Sequence, residues 1–497
     1  MISVARAILL RITSEYSHSS HHDRRAPVLS HIHVFKHYIP APLFVLAAIE
    51  FALLFAALLI GNAIRFQWGG DVLWQPQLVA SATVYAAVVM ACTIAMGVYR
   101  SSFVDGFSAM LVRTIVAYCL LGCAAVTVVY YVLPYLFMGR GVLAISIVVS
   151  MLLVLPARWV FFKLVDVRTI SASCIVLGTG KRAARLADAL QERSHRGVAK
   201  VEAFLQMHEN DPVLVQGNVI AYDGHLLDLS RRMGAAEVII AVDERRASDG
   251  VVFPLDELLD CKLSGVRVSD AVTFYEREFG LLNLAEIQPG WMVFTAGFSS
   301  NALWDFFKRA GDMLIAAVLL LLAWPLMLLT AIAIMLEDGR PVIYRQIRVG
   351  ADGKPFEILK FRSMGTDAEK DGKAVWAGAG DTRVTRVGGF IRNTRIDELP
   401  QLFNVLRGEM SIVGPRPERP EFVEQLAADV PFYRERHRAK PGLMGWAQLN
   451  YPYGASVEDA AQKLSYDLYY VKNRSLLLDI IIMVQTVQII LLGTGVR

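Results

Sequence analysis

Four long apolar runs, at about 43–60, 78–98, 110–133 and 141–157, follow a polar N-terminal stretch. Each approaches or exceeds the roughly 20 residues that a helix needs to cross a bilayer. The pattern predicts four membrane helices. Glu50 and Arg113 are the charges inside these runs or at their edges. A charge at membrane depth points to function or pairing by default. Arg113 lies near an end, where its long stem can reach the interface, and Glu50 is expected to face another helix.

Lys and Arg in the short loops set the orientation. The first segment carries Arg6, Arg11, Arg24, Arg25 and Lys36, the second loop carries Arg100 and Arg113, and Arg158, Lys163 and Arg168 follow the fourth run. The other two loops carry only Arg65 and Arg140. The N-terminus and everything from about 159 onward are therefore expected in the cytoplasm. A fifth run, 312–336, has Pro325 near its middle, and basic residues flank it on both sides: Lys308 and Arg309 before, Arg340 and Arg345 after. A spanning helix should be asymmetric in charge, and proline removes a backbone hydrogen bond. This predicts a Pro-broken re-entrant helix that returns to the same face. The alternative is a kinked crossing that would carry 340–497 outside the cytoplasm. The last run, 476–492, is interrupted by Asp479, Gln485 and Gln488. It reads as an interfacial helix.

Between these membrane elements, residues 171–290 alternate short β-rich runs with helical ones, the rhythm of a parallel α/β sheet. SCIVLGTG enters a glycine turn at Gly178-Thr179-Gly180, and KRAARLADALQER continues as a helix. The turn resembles a truncated dinucleotide fingerprint: the third glycine is missing, and no clear acidic residue ends a second strand at the expected distance. A purely structural strand-to-helix turn is an equal reading. The expected architecture is a membrane helical bundle, an α/β nucleotide-binding-like (Rossmann-like) domain, and an α-rich monotopic domain with the broken helix. Its boundaries are a polar cytoplasmic tail at 1–41, four membrane helices at 42–158, the α/β domain at 159–300 and the last domain at 301–497.

Composition narrows the class. The 497 residues are 55% hydrophobic and 19% charged, with a net charge of +4. This excludes intrinsic disorder and argues against a purely soluble enzyme. The small positive balance does not suggest a nucleic-acid binder. Five cysteines form no CxxC pair, so neither a disulfide framework nor a zinc site is expected. The histidines of the tail, His18, His21, His22, His31, His33 and His37, have no accompanying Cys or carboxylate pattern, and a solvated tail explains them better than metal binding.

The chemistry is concentrated in 340–475. Lys360, Arg362, Arg383, Arg386, Arg392 and Arg395 lie among small residues. Guanidinium groups pair bidentately with phosphate oxygens, although solvated surface charge is the simpler reading for Arg383 and Arg386. In RNTRIDELPQLFNVLRGEMSIVGPRPERP, Asp397 and Glu398 open a predicted helix that ends near Leu406, with Gly408 just beyond. An Asp-Glu pair at a helix start is usually a cap. Arginines on either side and a membrane-dipping helix upstream favour a phosphate and metal site with a nucleophile instead. Arg416 is held between two prolines on a stiff backbone. Trp446, Tyr451 and Tyr453 could stack on a base, but an interfacial aromatic belt is favoured.

Together, FKRAGD, the Pro-containing helix, YRQIRVG, KFRSM, IDELPQLFNVLRGEMSIVGPRP, KPGLMGWAQ and SYDLYYVKN resemble the bacterial polyprenyl-phosphate sugar-1-phosphate transferases over about 303–497. The four helices and α/β domain resemble the long, exopolysaccharide-associated form of that family. The resemblance implies transfer of a hexose-1-phosphate, glucose or galactose first, from a UDP-sugar to undecaprenyl phosphate at the bacterial inner membrane. It implies Asp397 as nucleophile with release of UMP, Glu398 as a magnesium ligand, and Lys360, Arg362, Arg392, Arg416 and Asp467 in phosphate, nucleotide or metal support. It is also compatible with a homodimer. Trp324 precedes Pro325 where the family commonly has serine, which alters hydrogen bonding at the break. Two other readings compete. A membrane-anchored dehydratase or epimerase needs Tyr-x-x-x-Lys, and none of the 17 tyrosines has lysine four residues on. A non-catalytic, nucleotide-responsive scaffold would keep its function without Asp397.

Overall fold

The apolar runs are helices in the computed structural model, which describes residues 31–34, 37–66, 76–96, 111, 113–136, 138–164, 172–192, 199–243, 253–287, 289–295, 297–298, 302–365, 383–451, 454 and 456–492. Most of the tail at 1–41 lies outside the described residues. Helices α1 (Ala41–Arg65) and α2 (Pro76–Ala95) come first. The third run passes through a π-helical stretch, Val116–Gly122, into α3 (Cys123–Val132), and α4 is Arg140–Leu164. With the later helix Ala302–Asp338, five helices among the described residues are long and apolar enough to cross a membrane. The chain is a membrane-associated protein.

A buried ion pair fixes the register of the bundle. Arg158 donates from Nε and NH2 to both carboxylate oxygens of Glu50, at 2.6 and 2.7 Å, and from NH1 to Thr114. Both charged side chains are fully buried. Sequence reading counted Arg158 among the charges beyond the fourth run. It lies inside α4 instead, because its guanidinium neutralises Glu50 at membrane depth. Glu50 is about two and a half turns from the start of α1, and Arg158 is under two turns from the end of α4. Their similar depth fits two helices whose outer ends share one side of the bilayer.

The α/β domain is a five-stranded, wholly parallel sheet. Its strands are β1 (Ala172–Leu177), β2 (Ala199–Gln206), β3 (Val219–Ala221), β4 (Glu237–Ile240) and β5 (Arg267–Asp270), in spatial order β3-β2-β1-β4-β5. Helices α5 (Lys181–Glu192), α6 (Leu226–Met233) and α7 (Leu255–Leu263) alternate with them. Ile175, Leu177, Leu205, Leu226, Val238, Leu258 and Cys261 form the core. Near-continuous apolar strands such as CIVL and EVII are what a parallel sheet buried on both faces requires.

Residues 162–271 belong to one compact unit, and residues 272–497 belong to a second that also includes 43–161. Residues 272–287 pack on the C-terminal domain. Glu276 of α8 (Ala271–Phe279) accepts hydrogen bonds from Lys472 and Asn473, and Trp446 Nε1 donates to Gly280 O at 2.8 Å. A short helix, α9 (Pro289–Phe294), precedes α10 (Ala302–Asp338), which is helical throughout with Pro325 inside it. The helix runs through Pro325, where the sequence led us to expect a break. At about 55 Å, α10 is far longer than the ~30 Å hydrocarbon core. Leu314, Leu321, Leu322, Trp324, Leu329 and Leu336 project from it, exposed.

Both ends of α10 are fastened to the C-terminal domain. At its start, Arg309 donates to Val405 O and Leu406 O, and Asp312 Oδ1 accepts from Ile412 N. At its end, Glu337 accepts from the amides of Arg386 and Val387, and Arg362 donates to Asp338 O and Gly339 O. The last helix of the chain, Leu476–Leu492, packs against α2.

The Glu50–Arg158 pair yields a stability prediction. Removing one partner leaves a bare charge, so Glu50→Gln should cost about 3–5 kcal/mol. Glu50→Gln combined with Arg158→Gln should cost less than Glu50→Gln alone in thermal unfolding in detergent. An unperturbed single variant would contradict this role.

Candidate active site

The carboxylate pair sits where three local devices meet. A hairpin of β6 (Ile343–Val349) and β7 (Pro355–Phe361) brings Lys360 forward on β7. Helix α11 (Arg386–Asn393) is capped by Thr385, whose side chain accepts from Gly388 N. Beyond α11, Arg395 adopts a left-handed φ of 60° that turns the chain into a 3-10 turn, Ile396–Glu398. That conformation is uncommon for a residue with a Cβ. Ile396 and Leu399 pack into a cluster with Ile334, Phe361 and Ile391. The turn is thereby held between α10 and β7. Helix α12 (Gln401–Arg407) follows. Buried Asn404 staples it to the hairpin by accepting from Leu359 N at 3.0 Å and donating to Glu357 O at 2.7 Å.

Glu398 Oε1 collects three cations: Arg416 NH2 at 3.0 Å, Lys360 Nζ at 3.3 Å and Arg395 NH1 at 3.7 Å. Burial opposes its charge. Arg416, Lys360 and Arg395 outweigh that burial and pull its carboxyl from the ordinary 4.5 to about 2. Asp397 behaves oppositely. Burial, then the charge of Glu398, pushes its carboxyl above the usual aspartate range, with Lys360 the leading counterweight. Its Oδ1 is buried and has no hydrogen-bond partner among the described residues. Neither carboxylate caps a helix. The pair is divided into an ionised anchor and an uncommitted neighbour.

Arg416 is aimed by its backbone. Strands β8 (Ser411–Val413) and β9 (Gly442–Met444) run parallel, with Gly414 N donating to Met444 O and Gly442 N to Pro415 O. A Cβ on Gly442 would lie 2.0 Å from Gly414 N, so only glycine permits this approach. Buried Arg436 then donates from NH2 to Arg416 O at 2.9 Å and from NH1 to Tyr433 Oη at 2.8 Å, and it pairs with Asp467 at 2.7 Å. Arg348 grips the other side of the loop through Pro417 O and Glu418. Lys360 is less basic than an ordinary lysine because burial outweighs its carboxylate neighbours.

The sequence-predicted residues separate by position. Lys360, Asp397, Glu398 and Arg416 come together. Asp467, in the helix Val457–Lys472, reaches the site only through Arg436. Arg362 binds the C-terminal carbonyls of α10 and makes no ion pair with Asp397 or Glu398. The Arg392 side chain makes no ion pair among the described residues. Trp446 is buried in a short helix, Trp446–Asn450, stacked on Tyr469, and Tyr451 donates to Asp459. Internal packing, not an interfacial belt, therefore accounts for both. Tyr453 lies outside the described residues. Sequence reasoning placed Arg395 beside the pair and left Arg348 and Arg436 out of the site. Arg348, in the strand YRQIRV, gave no clear signal, because the apolar Ile347 and Val349 share the opposite face of the strand. Arg436, within RERHR, resembles surface charge and gave no signal.

A divalent cation at this pair would take at most these two carboxylates from the chain and would complete its shell with oxygens of a bound molecule. No group of three potential metal ligands occurs among the described residues. Magnesium commonly takes one or two carboxylates and completes its shell with phosphate oxygens. The cation contacts of Glu398 described above are all made by Oε1.

A family model described as bacterial sugar transferase matches residues 303–493. Over 186 residues the chain is 46% identical to a UDP-glucose:undecaprenyl-phosphate glucose-1-phosphate transferase of Caulobacter vibrioides, covering 37% of this chain and 69% of the relative.

The chain belongs to the bacterial sugar transferase family.

A UDP-N-acetylgalactosamine-undecaprenyl-phosphate N-acetylgalactosaminephosphotransferase of Aeromonas hydrophila is 49% identical over 197 residues, 40% of this chain and 46% of the relative. A UDP-glucose:undecaprenyl-phosphate glucose-1-phosphate transferase of Klebsiella pneumoniae is 36% identical over 272 residues, 54% of this chain and 57% of the relative. The matches thus span about half the length of these two larger relatives. The family's matched region holds every residue that meets at the carboxylate pair.

The split titration of the pair predicts opposite stability effects. A depressed carboxyl stabilises the fold above its ordinary pKa, and that contribution disappears as pH falls from 4.5 towards 2. A raised carboxyl opposes folding once it ionises. At neutral pH, Asp397→Asn should therefore raise the melting temperature by a few degrees. Glu398→Gln should lower it, because three cations lose their partner. Equal destabilisation by both substitutions would refute this division.

Proposed function

We propose that this protein transfers a hexose-1-phosphate from a UDP-sugar to undecaprenyl phosphate at the cytoplasmic face of the bacterial inner membrane. The observation that carries the reading is the uncommitted, buried Asp397 beside a Glu398 held ionised by Arg416, Lys360 and Arg395. The family membership and the printed activities of the relatives support it.

In the first step, an Asp397 oxygen attacks the sugar-bearing β-phosphorus. The bond from that phosphorus to the bridging oxygen breaks, and UMP leaves with the electron pair. In the second step, an oxygen of the lipid phosphate attacks the same phosphorus and frees Asp397. The product is undecaprenyl diphosphate sugar. Lys360 and Arg416 draw the phosphates in and stabilise the charge that develops on their oxygens. Arg348 and Arg436 keep Arg416 in place. Glu398 would hold magnesium, whose chemistry here is to neutralise phosphate charge. Burial and the unpartnered Oδ1 leave Asp397 less solvated than an ordinary surface aspartate, and burial with the charge of Glu398 raises its carboxyl.

The long helix α10 is read as re-entrant. Both of its ends are tied to one polar domain, which cannot lie on two sides of a bilayer. Pro325 supplies the place where such a helix bends. This would bring the carboxylate pair to the depth of the lipid phosphate.

The direct test is UMP release from UDP-glucose, UDP-galactose and UDP-N-acetylgalactosamine, with magnesium and undecaprenyl phosphate in membranes. One sugar should release UMP, and Asp397→Asn should abolish that release. No release from any sugar by folded protein would overturn the reading. The acid limb of the pH profile should lie above the ordinary aspartate value of 3.8. Lys360→Met should move it to still higher pH, because Lys360 favours the ionised aspartate. A limb that stays in place would remove Lys360 from that role.

A further inference from the structure

At the carboxyl ends of β1, β2 and β4, a parallel sheet normally presents a helix N-terminus to a ligand phosphate. In this α/β domain the position is filled from within. Asp243, just beyond β4, accepts hydrogen bonds from the first two amides of α5: Lys181 N to Oδ2 at 2.9 Å and Arg182 N to Oδ1 at 2.8 Å. A Cβ on Gly180 would lie 2.2 Å from Asp243 Oδ2. The glycine is thus required for the carboxylate's approach, as it is for a pyrophosphate in a nucleotide-binding turn.

The rest of the crevice is also answered by the chain itself. Leu214 N donates to Thr179 O at 2.8 Å. The residue that ends β2 is Gln206, where a ribose-binding fold carries a carboxylate. Its amide donates to Glu209 O at 3.2 Å and Asp211 O at 3.1 Å. The Thr179 hydroxyl, buried in the same turn, has no hydrogen-bond partner among the described residues.

We infer that Asp243 is the resident anion of this glycine turn, standing where a ligand phosphate would stand, and that the domain keeps its fold without a nucleotide. Removing the carboxylate while keeping the glycines exposes two aligned amides to a phosphate-type oxyanion.

Amide hydrogen exchange of the full-length protein in detergent tests this, with inorganic pyrophosphate and NADH as probes. In the wild type, neither probe should slow exchange at Lys181 and Arg182. Asp243→Ala should speed that exchange about tenfold, as loss of a charge-assisted hydrogen bond predicts. Pyrophosphate should then restore protection. Protection of the wild-type turn by either probe would overturn the inference. So would unchanged exchange in Asp243→Ala, or failure of pyrophosphate to restore protection in a folded variant. If Asp243→Ala does not fold, the wild-type arm decides: protection overturns the inference, and none supports it.

Discussion

Three cations from three separate segments converge on one oxygen of Glu398. Lys360 arrives on a hairpin strand, Arg395 on a left-handed turn and Arg416 on a loop between prolines. Taking a carboxylate out of water is costly unless its charge is answered. Here it is answered several times over. The surplus positive charge is then available to the neighbouring Asp397 and to any phosphate that enters. Much of the C-terminal domain can be understood as support for this meeting point. Asn404 keeps the hairpin beside the turn, the glycine contact between Gly414 and Gly442 sets the course of the Arg416 loop, and the Arg436–Asp467 pair holds that loop from behind.

The same clamp separates two adjacent carboxylates into different chemical states. Like charges at close quarters cannot both be well stabilised. Glu398 takes the cations, and Asp397 is left buried and short of partners. A group in that condition opposes folding, which is the usual character of a residue kept for reaction rather than for stability. Membrane attachment addresses a second constraint. In the proposed reaction the acceptor phosphate is lipid-borne and stays at the interface, so the site must be brought to it. An apolar helix tied at both ends to one polar domain would meet that requirement with the chain's own hydrogen bonds.

Where the physics is local, the residues were legible in the sequence. The membrane helices were legible because apolar length alone defines them. The parallel sheet was legible from the alternation of short apolar strands and amphipathic helices. Lys360, Asp397, Glu398 and Arg416 stood out because they sit in blocks dense with glycine, proline and charge. Long-range pairing was not legible. Arg158 counted as a loop charge because only Glu50, 108 positions earlier, reveals its depth. Arg436 looked like surface charge because its partners, Asp467 and the Arg416 carbonyl, are distant in sequence. Arg362 sits one residue from a strand that carries Lys360, yet its guanidinium is committed to the end of α10. Asp243 could not be read as an internal anion, because the glycine turn it fills lies some sixty residues away.

The account rests on Asp397 carrying the phosphosugar between two partners. Incubating the protein with a UDP-sugar radiolabelled in the β-phosphate, without lipid acceptor, followed by peptide mapping, measures this most directly. One label per active site, on the peptide containing Asp397 and released when undecaprenyl phosphate is added, is the predicted result. UMP formed only when the lipid is present, with no label retained on the protein under any condition, would contradict it.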